Sequence, residues 1–275
     1  MIRFISAAAL VFFGVGILPS RCFAQLYAAA PEPQLFGENM ISTGDDESHP
    51  AFTADGKTLY FLKNDPSFNH WTIVVSHEQN GKWSTPEVAP FSGQFSDADP
   101  FITADGERFF FISTRPVNGQ AKEDTDIWMM RKSGPEAGAG IGAAATWSEP
   151  EHLVAVNSET NEWFPTVANN GNLYFGSERP GGRGKCDLYV SRLVDGKYQA
   201  PENLGDPINT AANEVEPFIA PDESYIIFAG TRLTRKPRRI RFVCELSARR
   251  RVDKAHEPGQ QNQFSCLGFL TESFT

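Results

Sequence analysis

Four carboxylates stand at matched positions along this 275-residue chain. Glu47, Asp97, Glu162 and Glu214 each lie three residues before a proline: Pro50, Pro100, Pro165 and Pro217. Each is followed, 16 to 18 residues on, by a cation: Lys63, Arg115, Arg179 and Arg232. Acids and bases repeated in this way can do one of two things. Each acid can pair with a cation within or between repeats, where an Arg–carboxylate fork gives two parallel charge-assisted bonds. Alternatively, the four carboxylates can form a ring at the mouth of a channel and bind a cation or a basic ligand. Glu47, Asp97, Glu162 and Glu214 are therefore the candidate binding set. The regularity favours the ladder of ion pairs, because binding sites usually break the symmetry of the repeats that carry them.

Other candidate chemistry is sparse. Asp126 and Asp187 recur at one position, with Thr72 in the matching place of the first repeat. Their expected role, structural like that of Arg115 and Arg179, is to accept backbone N–H groups where a strand begins. A calcium loop needs several oxygen ligands at alternating positions, and residues 44–48 and 95–99 resemble one only faintly, so no metal site is expected. His49, His70, His77 and His152 lack ligand spacing such as HExxH. There is no G-x-S-x-G elbow, and the glycines of residues 181–184 precede a strand rather than a helix, so no phosphate cradle and no cofactor are expected. Cys186 reads as a packed core thiol. The only conspicuous unmatched pairs before the shared prolines are Ser48-His49 and Trp163-Phe164. An aromatic there can stack on a sugar or simply cover the core.

The elements that must position these residues repeat with them. The shared prolines are 50, 65 and 52 residues apart. After each comes a short apolar segment and then Asp55-Gly56, Asp105-Gly106 or Asn170-Gly171, a strong hairpin signal in which both central residues are expected at positive φ. The fourth repeat has Asp222-Glu223 and should be strained there. The next segment is apolar on both faces (Leu59-Tyr60-Phe61, Phe109-Phe110-Phe111, Leu173-Tyr174-Phe175, Ile226-Ile227-Phe228), as in a strand sandwiched between sheets. A third strand begins near Thr72, Asp126 and Asp187. A fourth opens on Trp83, Trp147 or Tyr198 and carries Pro86, Pro150 or Pro201, which confines it to an edge. The Gly/Ala-rich residues 133–146 read as a flexible surface insertion and explain the longer spacing. A period of this size filled with short strands predicts a β-propeller with one blade per repeat.

These motifs resemble the WD-like β-propeller repeat of the periplasmic TolB protein and of many exported bacterial proteins. The match covers residues 45–232. It implies an all-β fold, a partial β-propeller of four-stranded antiparallel blades: three full blades plus the start of a fourth, then an irregular C-terminal tail. It says little about activity, because the same repeat serves scaffolds, surface-exposed binding proteins and peptidase propellers.

Residues 1–24 read as a secretory signal peptide, with Arg3 before an apolar stretch too short for a comfortable membrane span. Residues 25–44 read as a linker. Only Cys186, Cys244 and Cys266 follow the signal, so no disulfide framework is implied. Formal net charge is −9, unevenly spread. Residues 1–231 carry 15 Lys+Arg against 30 Asp+Glu, whereas residues 232–275 carry 10 against 4. Residues 233–275 form a basic tail without the repeat pattern. We read it as out of frame. Back-translated as ATT CGA TTT GTA TGT GAG CTA, residues 240–246 read F-D-L-Y-V-S one base on, which matches C-D-L-Y-V-S at residues 186–191. Sequencing the gene across the codons for residues 228–240 tests this. An intact frame without shifted homology contradicts it. A chain truncated in this way would leave residues 225–228 as an unpaired apolar edge and is expected to aggregate.

The resulting reading is a periplasmic or secreted, non-enzymatic binding or scaffold protein whose partner is a protein, peptide or glycan. No nucleic acid and no stable membrane span after signal removal are expected. The alternative is a propeller-fold hydrolase acting on glycans, which would need an asymmetric acid pair on the channel face.

Overall fold

The computed structural model describes residues 34–64, 70–134, 146–231 and 240–246, the last as backbone. The signal-like residues 1–24, Arg232 and most of the Gly/Ala-rich insertion lie outside the described residues. Residues 36–275 form one compact unit; of the other, Met1–Leu35, only residues 34 and 35 are described. Every regular element among the described residues is a strand, and no helix there is long and apolar enough to cross a membrane.

The strands form four antiparallel sheets that repeat one plan and one separate two-stranded hairpin. Blade 1 contains β1 (Glu47–Phe52), β2 (Thr58–Asn64), β3 (Trp71–Gln79), β4 (Lys82–Trp83) and β5 (Glu87–Val88). Blade 2 contains β6 (Asp97–Ile102), β7 (Arg108–Ser113), β8 (Asp126–Ser133), β9 (Thr146–Trp147) and β10 (Glu151–His152). Blade 3 contains β11 (Glu162–Val167), β12 (Leu173–Ser177) and β13 (Asp187–Ser191), with a small hairpin of β14 (Leu193–Val194) and β15 (Lys197–Tyr198), then β16 (Glu202–Asn203). Blade 4 contains β17 (Asn213–Ile219), β18 (Tyr225–Thr231) and β19 (Ile240–Leu246). The first strands β1, β6, β11 and β17 pack side by side in that order, as the innermost strands of a propeller do.

Strand alternation builds the core between blades. Phe109 and Phe111 on β7 face blade 1, where they meet Tyr60, Ile73 and Val75. Phe110 and Ile112 face the other way, onto Val167, Leu173, Phe175 and Tyr189 of blade 3. Leu188 of blade 3 then packs with Ile219, Ile226 and Phe228 of blade 4. A second strand with both faces buried needs an unbroken apolar run, which is why each repeat has one.

Three sequence expectations need correction. The hairpin turns put only the glycine at positive φ (Gly56 +68°, Gly106 +72°, Gly171 +89°), not both central residues. The residue before it instead folds its side chain back: Asp55, Asp105 and Asn170 each accept the backbone N–H two residues on. In blade 4 Glu223 takes the glycine's place at φ 59°. Its carboxylate accepts hydrogen bonds from Asn170, Asn172 and Tyr174 of blade 3, each at 2.8 Å, and these offset the strain.

The outermost strand is also split. Trp83 and Trp147 end two-residue pairings at the tip of the third strand, and Tyr198 closes the separate hairpin of blade 3, whereas the true edge strand begins only after Pro86, Pro150 and Pro201. Proline has no N–H for the ladder, so pairing stops and resumes. Finally, the apolar edge foreseen at residues 225–228 is paired: β19 runs antiparallel to β18 from Thr231↔Ile240 to Tyr225↔Leu246. Ile240, Phe242, Cys244 and Leu246 alternate in sequence with Arg241, Val243 and Glu245, a period of two that suits a strand.

Candidate functional site

The matched carboxylates are held inside their own blades. Asp97 is 0% exposed; its Oδ1 accepts from Arg115 (2.8 Å) and its Oδ2 from the Ser92 hydroxyl (2.8 Å). Glu162 is equally buried and accepts from Arg179 (3.0 Å), Ser177 (2.9 Å) and both the hydroxyl and the N–H of Ser158 (2.6 and 3.1 Å). Glu214 accepts from the hydroxyl and N–H of Thr210 (2.6 and 3.2 Å). Glu47 does the same with Thr43 and pairs with Lys63 at 3.3 Å. Each acid thus ties down the loop leading into its own first strand. Burial pushes the Glu162 and Glu214 carboxyls upward, and hydroxyl donors draw them back. An open binding ring would need carboxylate oxygens at the surface, and those of Asp97, Glu162 and Glu214 are inside.

Arg115 completes its part with bonds to Ser113 Oγ (2.9 Å) and the Phe91 carbonyl (3.0 Å), and lies over the rings of Phe111 and Trp128. Arg179 repeats this with Ser177, the Val156 carbonyl, Phe175 and Tyr189. Asp187 accepts the backbone N–H groups of Arg183 (2.7 Å) and Gly184 (2.8 Å), and an N–H of Asn203 (2.9 Å). Asp126 departs from that expectation. Side chains replace the backbone donors: Lys122 at 2.6 Å and His152 Nε2 at 2.9 Å. Cys186 is buried, as expected of a core thiol, and its pKa is pushed up to about 12, chiefly by burial.

The place where repeat symmetry breaks is one residue before each shared proline. His49, Asp99, Phe164 and Glu216 all have φ between 51° and 53°. Left-handed backbone is uncommon for residues other than glycine, and strain of this kind concentrates at functional sites. In every blade it coincides with a slip in register between the first and second strands, as at Ser48/Ala51 and Trp163/Thr166. Such a bulge re-aims the residue that occupies it.

The bulged residues converge. His49 of blade 1 stacks on Phe164 of blade 3, with ring centroids 5.6 Å apart and 21° between planes. Its Nε2 lies 3.7 Å from Asp99 Oδ1, and its Nδ1 is 2.9 Å from Ser48 Oγ. Asp99 Oδ2 accepts the Phe164 N–H at 3.0 Å. Trp71 of blade 1 meets Trp163 of blade 3 edge to face at 5.9 Å. Blades 1 and 3 are not neighbours, so these contacts cross the inner end of blade 2. Together Ser48, His49, Asn64, Trp71, Asp99, Trp163 and Phe164 line a cavity of about 200 Å³, with Leu62 and Ala98. A larger cleft of about 390 Å³ lies between blades 2 and 3 near Arg108 and Tyr198. There Arg131 and Lys132 pair with Glu151 and Glu107, so its charges are largely satisfied.

Asp99 is the distinctive group of the inner cavity. It is 6% exposed. Burial raises its carboxyl pKa above the ordinary 3.8, while His49 and the Phe164 N–H oppose the rise and Glu216 adds to it. The folded state therefore holds the Asp99 proton to higher pH than the unfolded chain. Stability from this group is full below about 3.8 and lost as pH rises through the raised folded value. Asp99→Asn removes that slope. The stability difference between variant and wild type should shift in the variant's favour as pH rises from about 4 toward 8. Glu162 and Glu214 titrate in both proteins and cancel in the difference. A difference in denaturation midpoint that does not change with pH contradicts the placement of Asp99.

Of this cluster, the sequence singled out Ser48-His49 and Trp163-Phe164 but missed Asp99, Asn64 and Trp71. The available signal was the residue type before the shared proline, which is His, Asp, Phe and Glu in turn.

No protein-family model matches the chain, and no curated protein matches it. Among solved structures it is similar to TolB from Acinetobacter baumannii, at 15% identity and a TM-score of 0.48 over 74% of this chain and 42% of that one. It is similar also to a puromycin-hydrolyzing peptidase of Mycobacterium tuberculosis, at 15% identity and 0.48 over 81% of this chain and 31% of that one. A thermostable family-43 glycoside hydrolase aligns at 14% identity and 0.43, over 75% and 72%. The chain spans less than half the length of the first two. Likenesses this distant carry no argument about a site or an activity. What the four matched sheets define is a class: a partial β-propeller of antiparallel repeats, here with an aromatic and acidic cavity at its inner strands.

Proposed function

We propose that this chain is an exported binding or scaffold propeller whose ligand seats in the inner cavity between β1, β6 and β11. The observation that carries the reading is the convergence of His49, Asp99 and Phe164 at bulged positions whose backbone Glu216 repeats in blade 4. Their backbone geometry is constant from blade to blade while their side chains differ in every blade. A position held for packing alone would keep one residue type, as Asp97, Glu162 and Glu214 nearly do. The ligand is a protein, peptide or glycan, taken up by the Trp71, Trp163 and Phe164 rings and oriented by the polar groups between them. A screen of peptide and glycan arrays tests this. Binding by the wild type should be lost in Trp163→Ala, with far-UV circular dichroism unchanged. A ligand that binds Trp163→Ala as well as wild type overturns the reading.

A second reading, a hydrolase acting on glycans, is favoured by one observation. Asp99 and Glu216 are carboxylates at matching inner-strand positions of blades 2 and 4, and burial prepares Asp99 to hold a proton as a general acid would. It predicts release of reducing ends from a glycan panel, abolished by both Asp99→Asn and Glu216→Gln. Absence of release across the panel favours binding without catalysis.

A further inference from the structure

A buried carboxylate needs compensation, and the other buried acids of this fold have it from a neighbouring cation or, at Asp187 and Glu214, from two or more hydrogen-bond donors. Asp97 is paired with Arg115, Glu162 with Arg179 and Asp126 with Lys122. Asp99 has no such partner: no Lys or Arg among the described residues lies within ion-pair distance of it. The imidazole of His49 is 3.7 Å away, beyond hydrogen-bond length. The rest of the cavity is poor in donors as well. Asn64 Oδ1 is buried without a hydrogen-bond partner, while its amide N–H is engaged by Asp46 at 3.0 Å. Ser48 Oγ and His49 Nδ1 are engaged with each other at 2.9 Å, and the other walls are the rings of Trp71, Trp163 and Phe164 with Leu62 and Ala98. A sugar hydroxyl needs donors as well as acceptors around it. An ammonium group needs only acceptors and benefits from aromatic faces within about 6 Å.

We propose that the inner cavity binds an alkylammonium group, presented as a lysine side chain of a polypeptide ligand, with Asp99 and Asn64 Oδ1 accepting its N–H bonds and Trp71, Trp163 and Phe164 surrounding its alkyl stem. The proposal rests on the reading of this cavity as the ligand seat and narrows the partner from protein, peptide or glycan to a basic polypeptide. The volume of about 200 Å³ suits one extended side chain. Glu47, Asp97, Glu162 and Glu214, the acids matched in the sequence as candidates for a cation or basic ligand, are engaged within their own blades; the geometry points to Asp99 instead.

Titration of the full-length protein with n-butylammonium, followed by tryptophan fluorescence, tests the proposal. The expected result is saturable quenching that 1-butanol, alike except for a hydroxyl in place of the ammonium, reproduces at least about tenfold more weakly. Asp99→Asn should weaken butylammonium by at least about tenfold, with circular dichroism unchanged. Trp71→Leu, which leaves every charge in place, should also weaken it, and serves if Asp99→Asn does not fold. Equal binding of butanol, or full affinity in Asp99→Asn or in Trp71→Leu, overturns the ammonium assignment. So does saturable binding of methyl β-glucoside in preference to butylammonium, which leaves the ligand seat intact and returns the partner to glycan. If butylammonium fails to bind while an array ligand is lost in Trp163→Ala, the ammonium assignment falls and the seat stands. If the array ligand ignores Trp163→Ala, both fall.

Discussion

Arg115→Ala is expected to destabilise the fold by about 3–5 kcal/mol, because it leaves the Asp97 carboxylate buried without its cation. Asp97 has no access to water and would retain only the Ser92 hydroxyl as a side-chain donor. The same substitution removes a bond to the Phe91 carbonyl and the packing of the guanidinium over Phe111 and Trp128. The loop before β6 is then held to Asp97 by the Ser92 hydroxyl alone. Arg192→Ala is the control. Its pair with Glu202 spans 3.2 Å, but both side chains are more than half exposed, and such pairs contribute about 0–1 kcal/mol. Guanidinium titrations of the two variants should separate clearly. Equal losses contradict the internal ion pair of blade 2.

Phe110→Ala should cost about 3–5 kcal/mol, the range for emptying a fully enclosed phenylalanine site. The residue is 0% exposed and sits between blades 2 and 3, with Ile112, Leu173 and Phe175 around it and Tyr198 edge to face at 6.2 Å. None of these can close the gap without moving a strand. A loss below about 1 kcal/mol in a denaturant titration would mean that β7 does not present Phe110 to blade 3. Phe218→Ala, at a half-exposed position of blade 4, should by comparison cost little.

The same residues show what could be read from the sequence and what could not. The aromatic triplet 109–111 identified a strand buried on both faces, because no other element tolerates consecutive apolar side chains so well. The spacing of Asp97 from Arg115 and of Glu162 from Arg179 disclosed the ion pairs. Their local partners Ser92, Ser158 and Thr210 were hidden, since short hydroxyl residues are common in any loop. Asp126 and Asp187 looked equivalent, yet one is satisfied by Lys122 and His152 and the other by backbone N–H groups. That difference depends on how each loop approaches its strand. The inner cavity was the least legible part. Joining His49 to Phe164, 115 positions later, requires both the bulge at each proline and the packing of β1, β6 and β11 in succession. Neither leaves a periodic trace in the sequence.

The most direct measurement of the ligand seat is an NMR spectrum of the indole N–H groups during titration with a ligand from the array screen. The chain has five tryptophans, well spread over the fold. Trp71 and Trp163 line the inner cavity, whereas Trp83, Trp128 and Trp147 belong to the outer parts and interfaces of blades 1 and 2. Shifts of the Trp71 and Trp163 signals alone, saturating with the binding curve, are the expected result. Movement of Trp83, Trp128 or Trp147 with Trp71 and Trp163 unchanged would place the ligand elsewhere and contradict the account.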